Sequence, residues 1–316
     1  MVFQLSPKEA KFLKLVQTKT DGKLEIKKNL SLGAYSTYQT GGRARIAVFP
    51  KNIDQALILF KLIRDLDLEF TVIGGGSNIL ISDRGINGIT VMLTGLAAFE
   101  IKGQLLGVEA GFSSHKLAHL ALEQGLSGLE FLTQLPGSIG GAIYMNARAF
   151  GGEISKVIHS ALVVDSSGSQ LEYRNQPGDF SYKRSPFKLK DQIILKAYFK
   201  LITEGKSKIR EEMDRIQQTR LAKQERKYPS CGCVFKNRRD LGKPAGKIID
   251  EAGLKSLHTE NARVYESHAN FIVHNGRADS QEIRNLMELV KTKVRQLEGI
   301  ELEYEVEFVG DWSEYQ

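Results

Sequence analysis

Two glycine-rich segments, a close pair of cysteines, a basic turn and a run of alternating glutamates are the parts of this 316-residue chain that could do chemistry. The first glycine segment is Val72-Ile73-Gly74-Gly75-Gly76-Ser77-Asn78, and the second is Leu135-Pro136-Gly137-Ser138-Ile139-Gly140-Gly141-Ala142. Consecutive glycines after an apolar strand leave bare amide N–H groups. Backbone donors approach a diphosphate closely only where no side chain intervenes. Ser77 and Asn78 add short side-chain donors, Pro136-Gly137 fixes a turn, and Asn146 follows the second segment. The pattern is not Gly-x-Gly-x-x-Gly, and it lacks the lysine of a phosphate-binding P-loop. It points to a large nucleotide cofactor held along its length, outside the ordinary Rossmann pattern. A pair of tight turns between strand and helix is the plainer reading.

The two cysteines, Cys231 and Cys233, lie in Ser230-Cys231-Gly232-Cys233-Val234-Phe235-Lys236-Asn237, which reads as a turn feeding a strand. A bridge across so short a gap is strained. Cys-x-Cys with no second cysteine pair and no nearby histidine is a poor zinc site, so no metal is expected. A single thiol can act as proton donor or nucleophile, or can simply be a small buried group. Tyr182-Lys183-Arg184-Ser185 sets two cations in a loop before Pro186. Either could balance charge on an anionic substrate or an enolate, or the loop could be an exposed basic turn. In Glu303-Tyr304-Glu305-Val306-Glu307-Phe308, alternation sends Tyr304, Val306 and Phe308 to one face and the glutamates to the other. That reads as a solvated strand face, and the pattern does not single out one carboxylate. His268 and His274 flank a buried strand and read as structural.

The elements that must position these residues follow from periodicity. A short helix and a charged lead-in occupy residues 1–28. A strand over Ala44–Phe49 precedes Asn52, which with Gln55 resembles a capping box, and Ile53, Leu57, Phe60 and Ile63 recur at helical spacing. Phe70–Ile73 is a short buried strand delivering the first glycine loop, so this part is α/β. Strands at Gly88–Leu93 and Leu105–Ala110 lead to a helix from Ser114 that stops at Gly125. Val157–Val164 and Gln170–Tyr173 form a hairpin around Asp165-Ser166-Ser167-Gly168, and Ile193–Leu201 is a further strand. The polar stretch at 203–207 marks a domain boundary before an amphipathic helix from Lys208 to about Lys227. Beyond it come a short helix Ala245–Ala252, a strand Asn270–Val273 and a last helix opening with Asp279 and Glu282. That helix carries the stripe Ile283, Leu286, Val290, Val294 and Leu297.

Composition narrows the class. The chain is 41% hydrophobic, with net charge +7 and a pI near 9.2. Its cations are scattered with few aromatics between them, which fits a basic enzyme of anionic ligands better than a nucleic-acid binder. No run is apolar enough to span a bilayer, no signal peptide is evident at Met1–Lys11, and the free thiols suit a cytoplasmic protein.

Taken together, these motifs resemble one family, the UDP-N-acetylenolpyruvoylglucosamine reductases of bacterial peptidoglycan synthesis. The matching stretches are Thr37-Tyr38-Gln39-Thr40-Gly41-Gly42, Gly74–Asn78, Gly128–Ile154, Tyr182–Ser185, Ser230–Asn237 with Ala245-Gly246-Lys247, His268-Ala269-Asn270-Phe271, and Glu305–Gly310. They run in family order from residue 37 to residue 310. The resemblance implies an FAD-binding domain of the p-cresol methylhydroxylase type over 29–203 and a smaller α/β substrate-binding domain over 204–312. It also implies the shorter form of the family, which lacks an insertion in the substrate domain.

The reaction so implied has NADPH reduce a non-covalent FAD, which passes hydride to an enolpyruvyl double bond before an acid protonates the enolate carbon. Carried over position by position, Thr40, Gly41, Gly74, Gly75, Gly76, Ser77, Asn78, Pro136, Gly137, Ser138, Gly140, Gly141 and Asn146 hold FAD. Cys233 stands where the family has its proton-donating serine or cysteine, and Glu305 matches its catalytic glutamate. Lys183 replaces the arginine of Tyr-Arg-x-Ser, with Arg184 beside it as the alternative cation. Tyr182, Ser185, Asn237 and Lys247 line the UDP-sugar site. Arg148, Gln134 and His274 also depart from the usual residues. An FAD-dependent oxidase of the same cofactor-binding type and a non-catalytic nucleotide-binding protein are the alternatives.

Overall fold

The computed structural model describes residues 5–223, 228–237 and 239–313. The chain forms two compact units, each discontinuous in sequence. The first holds Met1–Lys28, Ile46–Gly75 and Gly88–Arg220, and the second holds Asn29–Arg45, Gly76–Asn87 and Leu221–Gln316. These units differ from the linear division expected at 203–207. The helix Lys206–Lys223 buries Ile209 and Met213 in the core that contains Leu106, Val108 and Phe199, and this packing ties it to the first unit. The predicted remainder of that helix, 224–227, lies outside the described residues.

In the first unit, Phe70–Ile73 runs parallel to Ile86–Met92, with Phe70 opposite Ile89 and Ile73 opposite Met92. The intervening chain carries the first glycine loop, so the loop is aimed by a parallel strand whose last residue, Ile73, is buried. Asn52 starts the helix Ile53–Asp65 by accepting from the Gln55 amide at 2.9 Å. That helix packs Ala56, Leu59, Phe60 and Ile63 into a core with Ile46, Val48, Ile89 and Val91. A second, antiparallel sheet orders its strands Gln170–Arg174, Ile158–Val164, Ile193–Lys200, Leu105–Glu109 and Phe99–Lys102. The predicted hairpin is present, with Val164 paired to Gln170. Leu117, Ala118 and Ala121 of the helix Ser114–Glu123 cover this sheet's core together with Ile139 and Ile143.

In the second unit, Ile79–Ile81 pairs in parallel with Glu307–Val309, and Ala262–Val264 pairs antiparallel with Ile272–His274. The helix Ser280–Glu298 is capped by Asp279, which accepts from the Glu282 amide at 2.7 Å. Its buried stripe is Ile283, Leu286, Met287, Val290 and Val294. Leu297, predicted in that stripe, is 61% exposed, because residues 295–299 run beyond the core. The Glu282 carboxylate does not complete a capping box. It accepts instead from the Thr259 hydroxyl at 2.6 Å and the Asn261 amide at 2.7 Å. Two further expectations change here. No strand forms over Ser230–Asn237, where Phe235 makes an isolated bridge to Tyr304, and the strand predicted from Asn270 begins at Ile272.

Candidate active site

The strand Phe70–Ile73 delivers Gly74 and Gly75 against the second glycine segment. The Gly75 amide donates to the Ser138 hydroxyl at 3.1 Å. A Cβ on Gly75 would lie 2.4 Å from Gly137 Cα, and one on Gly74 would lie 2.5 Å from Ser138 Oγ. Part of the glycine requirement is therefore contact between the loops. Pro136-Gly137-Ser138 leads into the short helix Ile139–Tyr144, whose first amides are already spent on protein. Ile139 donates to Phe112 O at 2.9 Å and Gly140 to Ala110 O at 2.7 Å. Gly141 is exposed, and a Cβ there would meet only the Ser138 hydroxyl, at 3.6 Å. Bare backbone at Gly141, beside Gly74, is a cradle that a Cβ would fill, and it fits the diphosphate of a dinucleotide cofactor. Asn146 has partners within this unit. It is 1% exposed, and its side chain donates to Glu153 at 2.8 Å and to Ser181 O at 3.0 Å while accepting from the Ser155 amide at 3.1 Å. It holds its own loop in place.

The basic turn belongs to the same unit. Ser181 and Arg184 exchange backbone bonds of 3.0 and 3.1 Å, which closes a tight turn with Tyr182 and Lys183 at its tip. Lys183 takes a left-handed φ of 57°, with its ammonium 5.9 Å from the Tyr182 ring centroid. Arg184 is exposed. Ser185, expected to touch substrate, is 0% exposed. Its hydroxyl donates to Tyr144 O at 2.8 Å and accepts from the Lys188 amide at 3.3 Å, so it holds the turn from beneath.

In the second unit, Gly76 has φ 64°, and a Cβ there would lie 1.9 Å from Tyr35 O, so no other residue fits. Thr40 and Ser280 bring their hydroxyls to 3.3 Å, and Gly41 packs its backbone against Ile81. Ser77 is half-buried in the turn that follows Gly76. Asn78 has a task that its sequence context did not reveal. Its amide donates to Glu305 O at 2.9 Å, and its carbonyl accepts from the Glu307 amide at 3.0 Å. It clamps the glutamate segment from both sides.

That segment is not a regular strand throughout. The amides of Glu305 and Val306 both donate to Val234 O, at 2.8 and 3.4 Å. Two successive residues facing one carbonyl break the alternation, as in a β-bulge. Glu305 and Val306 are consequently both buried, at 8% and 4% exposure. Glu303 is exposed and pairs with Lys236 at 3.3 Å, and Glu307 enters the parallel ladder opposite Ile79. The glutamates that alternation makes equivalent are thus separated, and Glu305 alone of the three is buried.

The cysteines are separated too. Cys231 is buried beside Tyr38, and burial pushes its thiol up to about 12, with repulsion from Cys233 and Glu305 adding to the effect. Cys233 is half-buried against Tyr265, Phe271 and Val273. Cys231 is therefore a core residue, and Cys233 is the thiol that can meet a ligand. Asn237 accepts from the Ala245 amide at 2.9 Å and so anchors the helix Ala245–Glu251, which carries Lys247 exposed and 3.8 Å from Glu251. His274 is structural, as its position suggested. Its Nε2 donates to Tyr38 O at 2.6 Å and its Nδ1 accepts from the Gly276 amide at 3.1 Å. Burial lowers the pKa of His268, which packs on Phe271. Among the described residues no group of three or more His, Cys, Asp or Glu could hold a metal, and no helix is long and apolar enough to cross a membrane.

Comparison with known proteins defines the class first. Residues 44–174 match the FAD binding domain family, which makes the chain a flavoprotein with FAD as its cofactor. Residues 224–309 match the UDP-N-acetylenolpyruvoylglucosamine reductase C-terminal domain. A UDP-N-acetylenolpyruvoylglucosamine reductase from Borrelia garinii subsp. bavariensis is 38% identical over 277 residues, covering 87% of this chain and 90% of that one. Its counterpart from Pediococcus pentosaceus is 36% identical over 288 residues, covering 91% and 95%. The crystal structure of UDP-N-acetylenolpyruvylglucosamine reductase from Thermus caldophilus superposes with a TM-score of 0.76 at 29% identity, covering 90% and 98%. The chain belongs to the UDP-N-acetylenolpyruvoylglucosamine reductase family.

Proposed function

We propose that this protein reduces UDP-N-acetylglucosamine enolpyruvate to UDP-N-acetylmuramate, with NADPH as reductant and one non-covalent FAD, in peptidoglycan precursor synthesis. FAD, when bound, relays a hydride from NADPH to the carbon–carbon double bond of the substrate. This chain's residues do the rest. Bare backbone at Gly74, Gly75, Gly137 and Gly141, with Ser138, binds the FAD diphosphate. Thr40, Gly41, Gly76 and Ser77 stand at further positions that the family resemblance gives to FAD.

Hydride addition leaves negative charge on the substrate as an enolate. Lys183, at the tip of its turn, stabilises that charge, with Arg184 a secondary cation. The Cys233 thiol, whose type has a reference pKa of about 8.5, delivers the proton to the enolate carbon. Glu305 supports this protonation as the buried carboxylate beside the thiol loop. Asn237, Lys247 and Tyr182 hold the UDP-sugar, whose several anionic groups suit a chain of net charge +7.

The observation that carries this reading is the sharing of Val234 O by Glu305 and Val306, which fixes the Glu305 backbone next to the cysteine loop. The test is NADPH consumption by the FAD-loaded protein with and without UDP-N-acetylglucosamine enolpyruvate. Turnover is expected only with that substrate. Equal consumption in its absence, driven by O2, would instead assign an oxidase.

A further inference from the structure

The residues beneath Cys233 are more constrained than those around it. Gly232, just before Cys233, has φ 84° and open space at its Cβ position, so the chain can pivot there. Just after Cys233 the chain is pinned. The Val234 amide donates to Asn270 O at 2.8 Å. The Phe235 amide donates to Asn270 Oδ1 at 2.9 Å, and Asn270 Nδ2 donates to Phe235 O at 2.8 Å. Asn270 is 1% exposed and so imitates, with one side chain, the paired bonds of a neighbouring strand. The pinned residue Val234 in turn supplies the carbonyl that receives Glu305. Asn78 holds the far side of Glu305, at its carbonyl.

We infer that Asn270 is a positioning residue for proton delivery: it fixes the Cys233 thiol relative to the Glu305 carboxylate through the Val234–Phe235 backbone. A side chain at position 270 must accept from one backbone amide and donate to the adjoining carbonyl at once. Asparagine does so at this reach, whereas aspartate accepts but cannot donate when ionised. Without the clamp, the Gly232 pivot lets Cys233 drift while the glycine cradle of the other unit is untouched. The inference rests on the roles proposed above for Cys233 and Glu305.

The test uses the FAD-loaded full chain and rapid mixing, with the two halves of the reaction followed separately. In Asn270→Ala, flavin reduction by NADPH stays within about twofold of the parent, and reoxidation by UDP-N-acetylglucosamine enolpyruvate falls on the order of 10²-fold, the scale of a misplacement near 1 Å. The loss falls on kcat more than on KM. The pH profile of Cys233 alkylation by iodoacetamide also shifts, which a lowered melting temperature alone would not cause. Asn270→Asp keeps the bond from the Phe235 amide and lies between parent and alanine variant. It carries the test if the alanine variant does not fold.

Normal reoxidation and an unshifted alkylation profile in either variant would overturn the inference, and so would loss of FAD from both. Cys233→Ala is run alongside. If it is severe while the Asn270 variants are normal, only the positioning inference fails. If Cys233→Ala itself reoxidises normally, the assignment of the thiol fails and this inference falls with it.

Discussion

Replacing Gly75 by alanine separates the two ways in which a glycine loop can fail. Gly75 does not have a positive φ, so an alanine there is not strained by its backbone. By chain entropy alone the change would stabilise by about 0.4–1 kcal/mol. Sterics reverse the sign. The new Cβ would sit 2.4 Å from Gly137 Cα and 2.6 Å from both Gly137 C and Ser138 N. All three neighbours are backbone, so no rotamer relieves the clash, and the loops must part by about 1 Å to reach van der Waals contact. The bond from the Gly75 amide to Ser138 Oγ, 3.1 Å long, is lost with that movement. Overpacking of this kind costs about 1–3 kcal/mol.

Gly141→Ala is the counterpart. Its Cβ would meet only a movable hydroxyl at 3.6 Å, so the apoprotein should tolerate it, yet the methyl occupies the cradle itself. Urea unfolding of FAD-free protein and flavin-fluorescence titration read the two effects independently. Gly75→Ala should lower both stability and FAD affinity, and Gly141→Ala should lower affinity alone. Normal FAD affinity in both variants would refute the placement of the diphosphate at this cradle.

Glu305→Gln should slow substrate-driven reoxidation by about 10²-fold or more, the scale of lost acid–base support. Glu303→Gln removes an exposed ion pair worth about 0–1 kcal/mol and should change little, so equal rates in the two would void the assignment. At pH 8, iodoacetamide should label Cys233 in the native protein and reach Cys231 only after denaturation. Because the folded Cys231 thiol stays protonated up to about 12 while the unfolded one ionises from about 8.5, stability should fall between those limits. The slope is about 1.4 kcal/mol per pH unit, and Cys231→Ala should flatten it. Lys183→Gly should raise the melting temperature by relieving a left-handed lysine while slowing reoxidation. Lys183→Arg should keep most of the activity, and a severe Arg184→Ala beside a mild Lys183→Ala would move the role to Arg184.

Local rules were enough for much of this molecule. Asn52, Asp279 and Gly125 mark helix ends whose chemistry lies within a few residues, and the structure keeps each of them. The glycine segments were legible as well, since bare backbone has few uses. Which of their amides stay open was not, because Ala110 and Phe112 take two of them from a distant stretch of chain. The glutamates illustrate the same limit. Alternation is a rule for a regular strand, and a single shared carbonyl at Val234 suspends it. Neither Asn78 nor Asn270 carried a signal for its clamp, since an asparagine that binds a remote backbone looks in sequence like any other. Nor do local rules carry the contacts that group 29–45 and 76–87 with a segment more than a hundred residues downstream.

That grouping bears on how the protein is made on the ribosome. Tyr38, Leu80 and apolar residues between Cys231 and Val306 share one core, so its earliest members emerge long before the last. Asp83 waits for Ser280 and Gln281, whose amides it receives at 3.0 and 2.9 Å, and Ile79–Ile81 waits for Glu307–Val309. Until then an apolar three-residue strand has an open edge. The second unit also has no contiguous coding segment. Cutting the gene at residue 221 would yield a fragment without Asn78 to hold Glu305 and without Tyr38 to cover Cys231, so the two halves cannot be swapped between relatives as cassettes.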